Sequence, residues 1–187
     1  MNRRLATAVC IVWLWPGMQS FAFDAGAAPI VAQGTLQSAF APWDDVESLI
    51  INVIAGAKKK IAMQAYLLTS KNIAEALVEA HKRGVEVLVL ADAEQLNKSE
   101  LSRLPDLVDA GIPVWLETKY QNAHNKIIVV DPATQEATVI TGSYNFTWSA
   151  QHKNAENILI VRKNIPLAAQ YFANWERHKQ DATPYKK

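Results

Sequence analysis

The chain has 187 residues, half of them hydrophobic and a fifth charged, which is an ordinary globular composition and enough length for one sizeable core. A net charge of +1 excludes a global basic signature, so nucleic-acid binding would have to come from a local patch. The single cysteine, Cys10, falls in a segment expected to be removed, which excludes a disulfide and a Cys-ligated zinc in the mature chain.

The first residues read as a secretory signal peptide. Arg3 and Arg4 are followed by an apolar run, Leu5 to Trp15, then Pro16-Gly17 and small residues. Ser20 and Ala22 suit cleavage after residue 22, and Ala25 and Ala27 suit cleavage after residue 27. A membrane anchor is the alternative, but the run is shorter than the about 20 apolar residues a span needs. The expected product is periplasmic or secreted, with no stable membrane insertion after cleavage. Loss of residues 1–22 leaves 17 basic and 18 acidic side chains, a net charge of −1.

Residues 34–181 are expected to form one domain. Gly34 to Phe40 reads as a strand closed by Ala41-Pro42, and Trp43 to Lys60 as a helix with acids at its start. Lys58-Lys59-Lys60 is read as a cationic helix end, with phosphate binding as the minor alternative. Ile61 to Leu68 is a buried strand. Thr69 or Ser70 caps a helix over Lys71 to Arg83, which Gly84 ends. Val85 to Ala91 is a strand ending at Asp92. Leu101 to Ala110 is a short helix stopped by Gly111, and Ile112 to Leu116 a strand. This alternation predicts an α/β fold with a mixed, largely parallel central sheet flanked by helices on both faces. Ile127 to Val130 and Ala137 to Thr141 form a hairpin, Asn157 to Val161 a strand, and Ile165 to Lys179 an amphipathic helix. Ala182 to Lys187 is expected to fray.

The chemistry concentrates between Gln121 and Asn157. Strand alternation places His124 and Lys126 on one face, a titratable nucleophile beside a fixed cation. Ser143 and Asn145 follow Gly142 and offer a hydroxyl, an amide and backbone N–H groups, the parts of an anion cradle. Glu156 is suited to orient an imidazole. Each of these, taken singly, is more often structural: Gly-Ser-x-Asn is a frequent turn, and Glu156 an ordinary strand-end charge. The mature histidines, His81, His124, His152 and His178, lack paired ligand spacing, so neither a metal nor another cofactor is expected.

In order, His124-x-Lys126-x-x-x-x-Asp131 followed by Gly142-Ser143-x-Asn145 resembles the HKD motif of the phospholipase D superfamily, and the mature chain looks like its small single-motif bacterial endonucleases. The resemblance runs from the Phe40-Ala41-Pro42 turn through Tyr66-Leu67-Leu68-Thr69 and Arg83-Gly84-Val85 to Trp175. It implies that His124 attacks phosphorus, that Lys126 and Asn145 hold the non-bridging oxygens with Ser143 in support, and that Glu156 orients a catalytic imidazole. Asp131 and Gly142 belong to the motif as structural residues. The reaction is metal-independent in such a family. The His-x-Lys pattern occurs once, so the second His is expected from a homodimer with one composite site. The ten residues Pro132 to Thr141 exceed the family's usual spacing. An even-numbered extension leaves side-chain facing unchanged, and the longer loop is expected at the rim of the site.

The expected activity is metal-independent phosphodiester hydrolysis through a phosphohistidine, foremost of DNA and in second place of RNA, with low sequence specificity. A phospholipase acting on head groups is the alternative, and an inactive binding relative a third. Lys153 and Lys119 are candidate substrate contacts, with Lys71 beside them. Tyr144, Phe146 and Trp148 offer stacking surfaces, although Phe146 and Trp148 are read foremost as core.

Overall fold

A computed structural model describes residues 28–94, 96 and 101–186. The expected signal segment and Cys10 lie outside them. The strands are β1 (Thr35–Ala41), β2 (Lys60–Ala65), β3 (Glu86–Asp92), β4 (Val114–Glu117), β5 (Lys126–Val130), β6 (Thr138–Gly142), β7 (Glu156–Arg162) and β8 (Thr183–Pro184). The helices are α1 (Val46–Gly56), α2 (Lys71–Lys82), α3 (Leu104–Asp109), α4 (Trp148–His152) and α5 (Ile165–Gln180).

The strands form one mixed sheet in the order β1-β7-β6-β5-β2-β3-β4-β8. Its parallel part is smaller than the expected majority. Among the described residues β2–β3 and β3–β4 are parallel and every other pairing is antiparallel. The reason is the change of connection halfway along the chain. Crossover helices α2 and α3 return β3 and β4 parallel to β2, whereas β5 and β6 are joined by a short hairpin loop and β7 returns antiparallel to β6 after the excursion through α4.

Strand alternation divides the core into two layers. Ile61, Met63, Ile128 and Val130 face α1, α2 and α3, and pack with Ile50, Ile54, Leu77 and Leu104. Ala62, Leu90, Ile127 and Val129 face α5 and pack with Ala168 and Trp175. Trp175 is buried, and its indole N–H donates to the Met63 carbonyl at 2.8 Å, which anchors α5 to the central strand. Side-chain caps start the helices where the sequence offers them: Asp45 accepts from Ser48 N, Ser70 from Ile73 N, and Asn164 from Leu167 N.

Three local expectations change. The first helix begins at Val46 and ends at Gly56, inside its expected span, so the lysine run is no helix terminus. Instead Lys58, Lys59 and Lys60 turn their backbone N–H groups onto Asp131. The tail does not fray throughout: Thr183–Pro184 pairs with β4, and Tyr185 N donates to Val114 O at 2.8 Å. The hairpin loop after Asp131 lies at the end of β5 opposite His124, so the longer spacing does not fall at the rim of the His124 site.

Candidate active site

Antiparallel pairing gathers one edge of the sheet from distant sequence. The start of β5 lies beside the end of β2 because Lys126 pairs with Ala65. The end of β6 lies beside the start of β5 because Ile127 pairs with Thr141, and β7 starts next to the end of β6 because Gly142 pairs with Ile158. His124, Lys126, Ser143, Asn145 and Glu156 therefore share this edge.

His124 sits just before β5 and Lys126 is its first residue. The Lys126 ammonium lies 2.9 Å from His124 Nδ1 and donates to the His124 carbonyl at 2.8 Å. Tyr66 packs against both: its ring centroid is 4.3 Å from that of His124 and 4.7 Å from the ammonium. Lys126 is only 6% exposed. Burial lowers its pKa from 10.5 to about 8, and the carboxylates of Glu156 and Asp92 act against that shift. His124 is itself exposed at this edge, yet its pKa is lowered, first by desolvation and then by the neighbouring Lys126 charge, with Asp92 opposing. Near neutral pH the edge thus holds a charged lysine and a histidine biased toward its neutral form.

The segment carrying His124 is pinned on both sides. The buried Asp92 carboxylate accepts from Ala123 N at 2.6 Å, and Asn125 O accepts from Tyr66 N at 2.8 Å. A crossing loop held by two hydrogen bonds next to the histidine leaves it little freedom to drift.

The second half of the edge is a network around Ser143. Its hydroxyl donates to Glu156 Oε2 at 2.5 Å and accepts from Asn157 N at 3.1 Å. Asn154 Nδ2 holds the other Glu156 oxygen at 2.9 Å. Gly142 makes this approach possible, since a Cβ there would stand 2.2 Å from the Asn157 carbonyl. Asn145 Oδ1 is buried with no hydrogen-bond partner among the described residues, a costly arrangement. Downstream, Phe146 is buried and its carbonyl accepts from Thr69 N and Ser70 N, both at 2.9 Å, which fixes the turn against the end of β2.

A desolvated cation, a histidine and a rigid set of donors at one edge are suited to bind and attack a phosphoryl group. The sequence matches the family model described as cardiolipin synthase, PLD-like domain, over residues 50–179. The chain belongs to the phospholipase D superfamily. It is 37% identical over 149 residues to a phospholipase D of Rickettsia prowazekii, covering 80% of this chain and 70% of that relative. It is 30% identical over 141 residues to the mitochondrial cardiolipin hydrolase of Xenopus laevis, covering 75% of this chain and 64% of that protein. The crystal structure of Nuc, a phospholipase D family member from Salmonella typhimurium, superimposes with a TM-score of 0.76 at 32% identity, covering 82% of this chain and 99% of that one. The protein is accordingly a phosphodiesterase of hydrolase type within that superfamily.

Within this family frame the motif residues separate by role. Asp131 is buried and saturated, accepting three backbone N–H groups at 2.8 Å each, so it organises the lysine loop far from His124. Among the described residues Glu156 is held by Ser143 and Asn154 and reaches no imidazole. Lys119 is tied to Asp181 at the end of α5 by a 2.6 Å ion pair, and Lys71 pairs with Glu75 at 3.4 Å. Lys153 lies beside Trp148. Tyr144 and Phe146 are core, but Trp148 is 57% exposed, contrary to its reading as core, because α4 turns it outward after Phe146 has been buried. Sequence reasoning assigned no part in the site to Tyr66, Asp92 or Asn154. Their only signals were a place in a matching stretch and a strand-terminal acid. No cluster of three or more His, Cys, Asp or Glu suited to a metal occurs among the described residues.

Proposed function

We propose that the protein is an exported, homodimeric endonuclease that hydrolyses DNA, and RNA in second place, with little sequence preference and through a phosphohistidine. The observation that carries the dimeric mechanism is the surroundings of His124. A charged Lys126 faces Nδ1, which keeps the proton of the neutral ring on Nε2 and leaves no nucleophilic lone pair there. A nucleophilic Nε2 needs the proton on Nδ1 and an acceptor to hold it there. Among the described residues no carboxylate is hydrogen-bonded to the ring, while Glu156 is held by Ser143 and Asn154 and has no imidazole beside it. A two-fold axis through this edge supplies both missing partners at once.

In the first step, Nε2 of one His124 attacks phosphorus. The P–N bond forms, the bond to the leaving oxygen breaks, and that oxygen takes a proton from the doubly protonated ring of His124 of the partner subunit, which is left neutral. In the second step the same partner histidine removes a proton from water, the water oxygen attacks phosphorus, and the P–N bond breaks. Lys126 and Asn145 hold the non-bridging oxygens and Ser143 supports them. Export to the periplasm or medium rests on the Arg3-Arg4 start and the apolar run after it.

Incubating the purified protein in EDTA with single-stranded DNA, duplex DNA, RNA and phosphatidylcholine vesicles tests the reading. Cleavage of nucleic acid in chelator, by a dimer in sedimentation, is expected. Activity only after adding a divalent metal, or a fully active monomer, defeats the mechanism. A phospholipase is the second reading. It is supported by relatives named phospholipase D and cardiolipin hydrolase, and by exposed Phe40 and Trp43 where β1 ends beside Glu156. Release of head groups from the vesicles, with nucleic acid left intact, is its signature.

A further inference from the structure

Between Asn145 and Glu156 the chain makes one short excursion, α4 and its flanks. Both ends belong to the catalytic edge: Asn145 O accepts from Thr147 N at 2.7 Å, and Asn154 Nδ2 donates to Glu156 at 2.9 Å. On this excursion Trp148 stands open to solvent, with the His152 ring 4.7 Å away and the Lys153 ammonium 5.3 Å from the indole centroid. Trp148 is three residues from Asn145, so their Cα atoms are at most about 11 Å apart.

The display is rigid. Thr147 caps the helix by accepting from Ala150 N at 3.1 Å. The buried Gln151 side chain donates to Asp44 O at 2.9 Å and accepts from Glu47 N at 3.1 Å, which locks α4 to the loop before α1. Little ordering entropy remains to be lost when a ligand settles on the indole. The charges around the exposed tryptophans differ. Trp148 has His152 and Lys153 beside it, whereas Trp43 is followed by Asp44, Asp45 and Glu47, which repel a phosphate chain. A lipid surface would engage both indoles; an anionic strand running from Lys126 favours Trp148.

We propose that Trp148, with His152 and Lys153 beside it, is a base-stacking subsite that makes unpaired nucleic acid the preferred substrate. It rests on the nuclease reading and adds the strand preference. In a duplex each base face is covered by its neighbours, so an indole beside the catalytic edge gains its contact only from an unstacked base. Lys153, on a flexible stem, can pair with the phosphate of the nucleotide whose base lies on Trp148.

The test measures kcat and KM of the intact dimer on a single-stranded oligonucleotide, on the same sequence as duplex, and on phosphatidylcholine vesicles. Trp148→Ala, Trp148→Phe and Trp43→Ala are compared with the wild type. Trp148→Ala is expected to raise KM on the single strand roughly tenfold with kcat preserved, as loss of one stacked base would. Trp148→Phe recovers most of the affinity, and Trp43→Ala changes nothing. An equal loss on single strand and duplex, or dissociation of the dimer by Trp148→Ala, overturns the subsite. So does an unchanged KM on the single strand; the nuclease reading survives that result if the wild type still cleaves. Hydrolysis of vesicles alone, weakened alike by Trp148→Ala and Trp43→Ala, defeats the nuclease reading itself and marks a membrane rim.

Discussion

The two ends of β5 carry the two ends of one sequence motif, and they are opposites. At the far end Asp131 is buried and its carboxylate takes three backbone N–H groups, so the charge is spent on the fold. At the near end Lys126 is also buried, but among the described residues its ammonium meets a histidine, a carbonyl and an aromatic face, with carboxylates at longer range. A buried charge that is fully paired stabilises a loop. One that is left short of a counter-ion is poised to receive an anion. The pair teaches that membership of a motif does not imply chemistry; the state of satisfaction of each charge decides.

The comparison breaks first at His124. Under the proposed dimeric mechanism His124→Ala removes the nucleophile and the acid together. Turnover is expected to fall roughly a thousandfold or more, with the thermal midpoint unchanged. A steady-state assay beside a melting curve checks both, and residual turnover near wild type would move the chemistry elsewhere. Asp131→Ala is expected to show the reverse. Three N–H groups lose a charged acceptor, which costs about 3 kcal/mol or more and lowers the midpoint by roughly 10 °C. The folded fraction, assayed well below that midpoint, should keep its kcat.

Acidity sharpens the contrast at Lys126. As pH rises through about 8 the ammonium loses its proton, so kcat/KM is expected to fall there at the latest. Stability should move the other way. The unfolded lysine still binds its proton up to its ordinary 10.5 while the folded one does not, so the cost of burying the charge disappears between about 8 and 10.5. Denaturant unfolding on either side of pH 8 should show that gain, and Lys126→Met should abolish it together with activity. The smallest effect is expected from Asp92→Asn. The amide still accepts from Ala123 N but no longer supports a positive His124, so the whole pH profile of kcat/KM should shift toward acid. A profile that stays in place would reduce Asp92 to a structural cap.

Much of this was legible in the chain itself. Apolar periodicity and punctuation by Ser70, Gly84 and Gly111 located α2, β3 and α3 closely, because local propensity and caps agree there with the tertiary packing. His124, Lys126, Ser143, Asn145 and Glu156, singled out by residue type and order, fall together at one edge of the sheet. Trp148 was misread as core because an aromatic in an apolar stretch is usually buried, and nothing local shows that Phe146 has already filled the available space. The lysine run was misread because its acceptor, Asp131, lies more than seventy residues away.

The sequence by itself determined which groups are available: one histidine and one lysine in strand alternation, a glycine turn and a following acid, in a chain able to bury one core. Only the tertiary structure decided which of them work together. Antiparallel pairing set the start of β5, the end of β6 and the start of β7 side by side, and it sent Asp131 to the opposite edge. The physical reason is that burial and charge satisfaction are properties of neighbours in space, and a strand of five residues is long enough to give its two ends different neighbours.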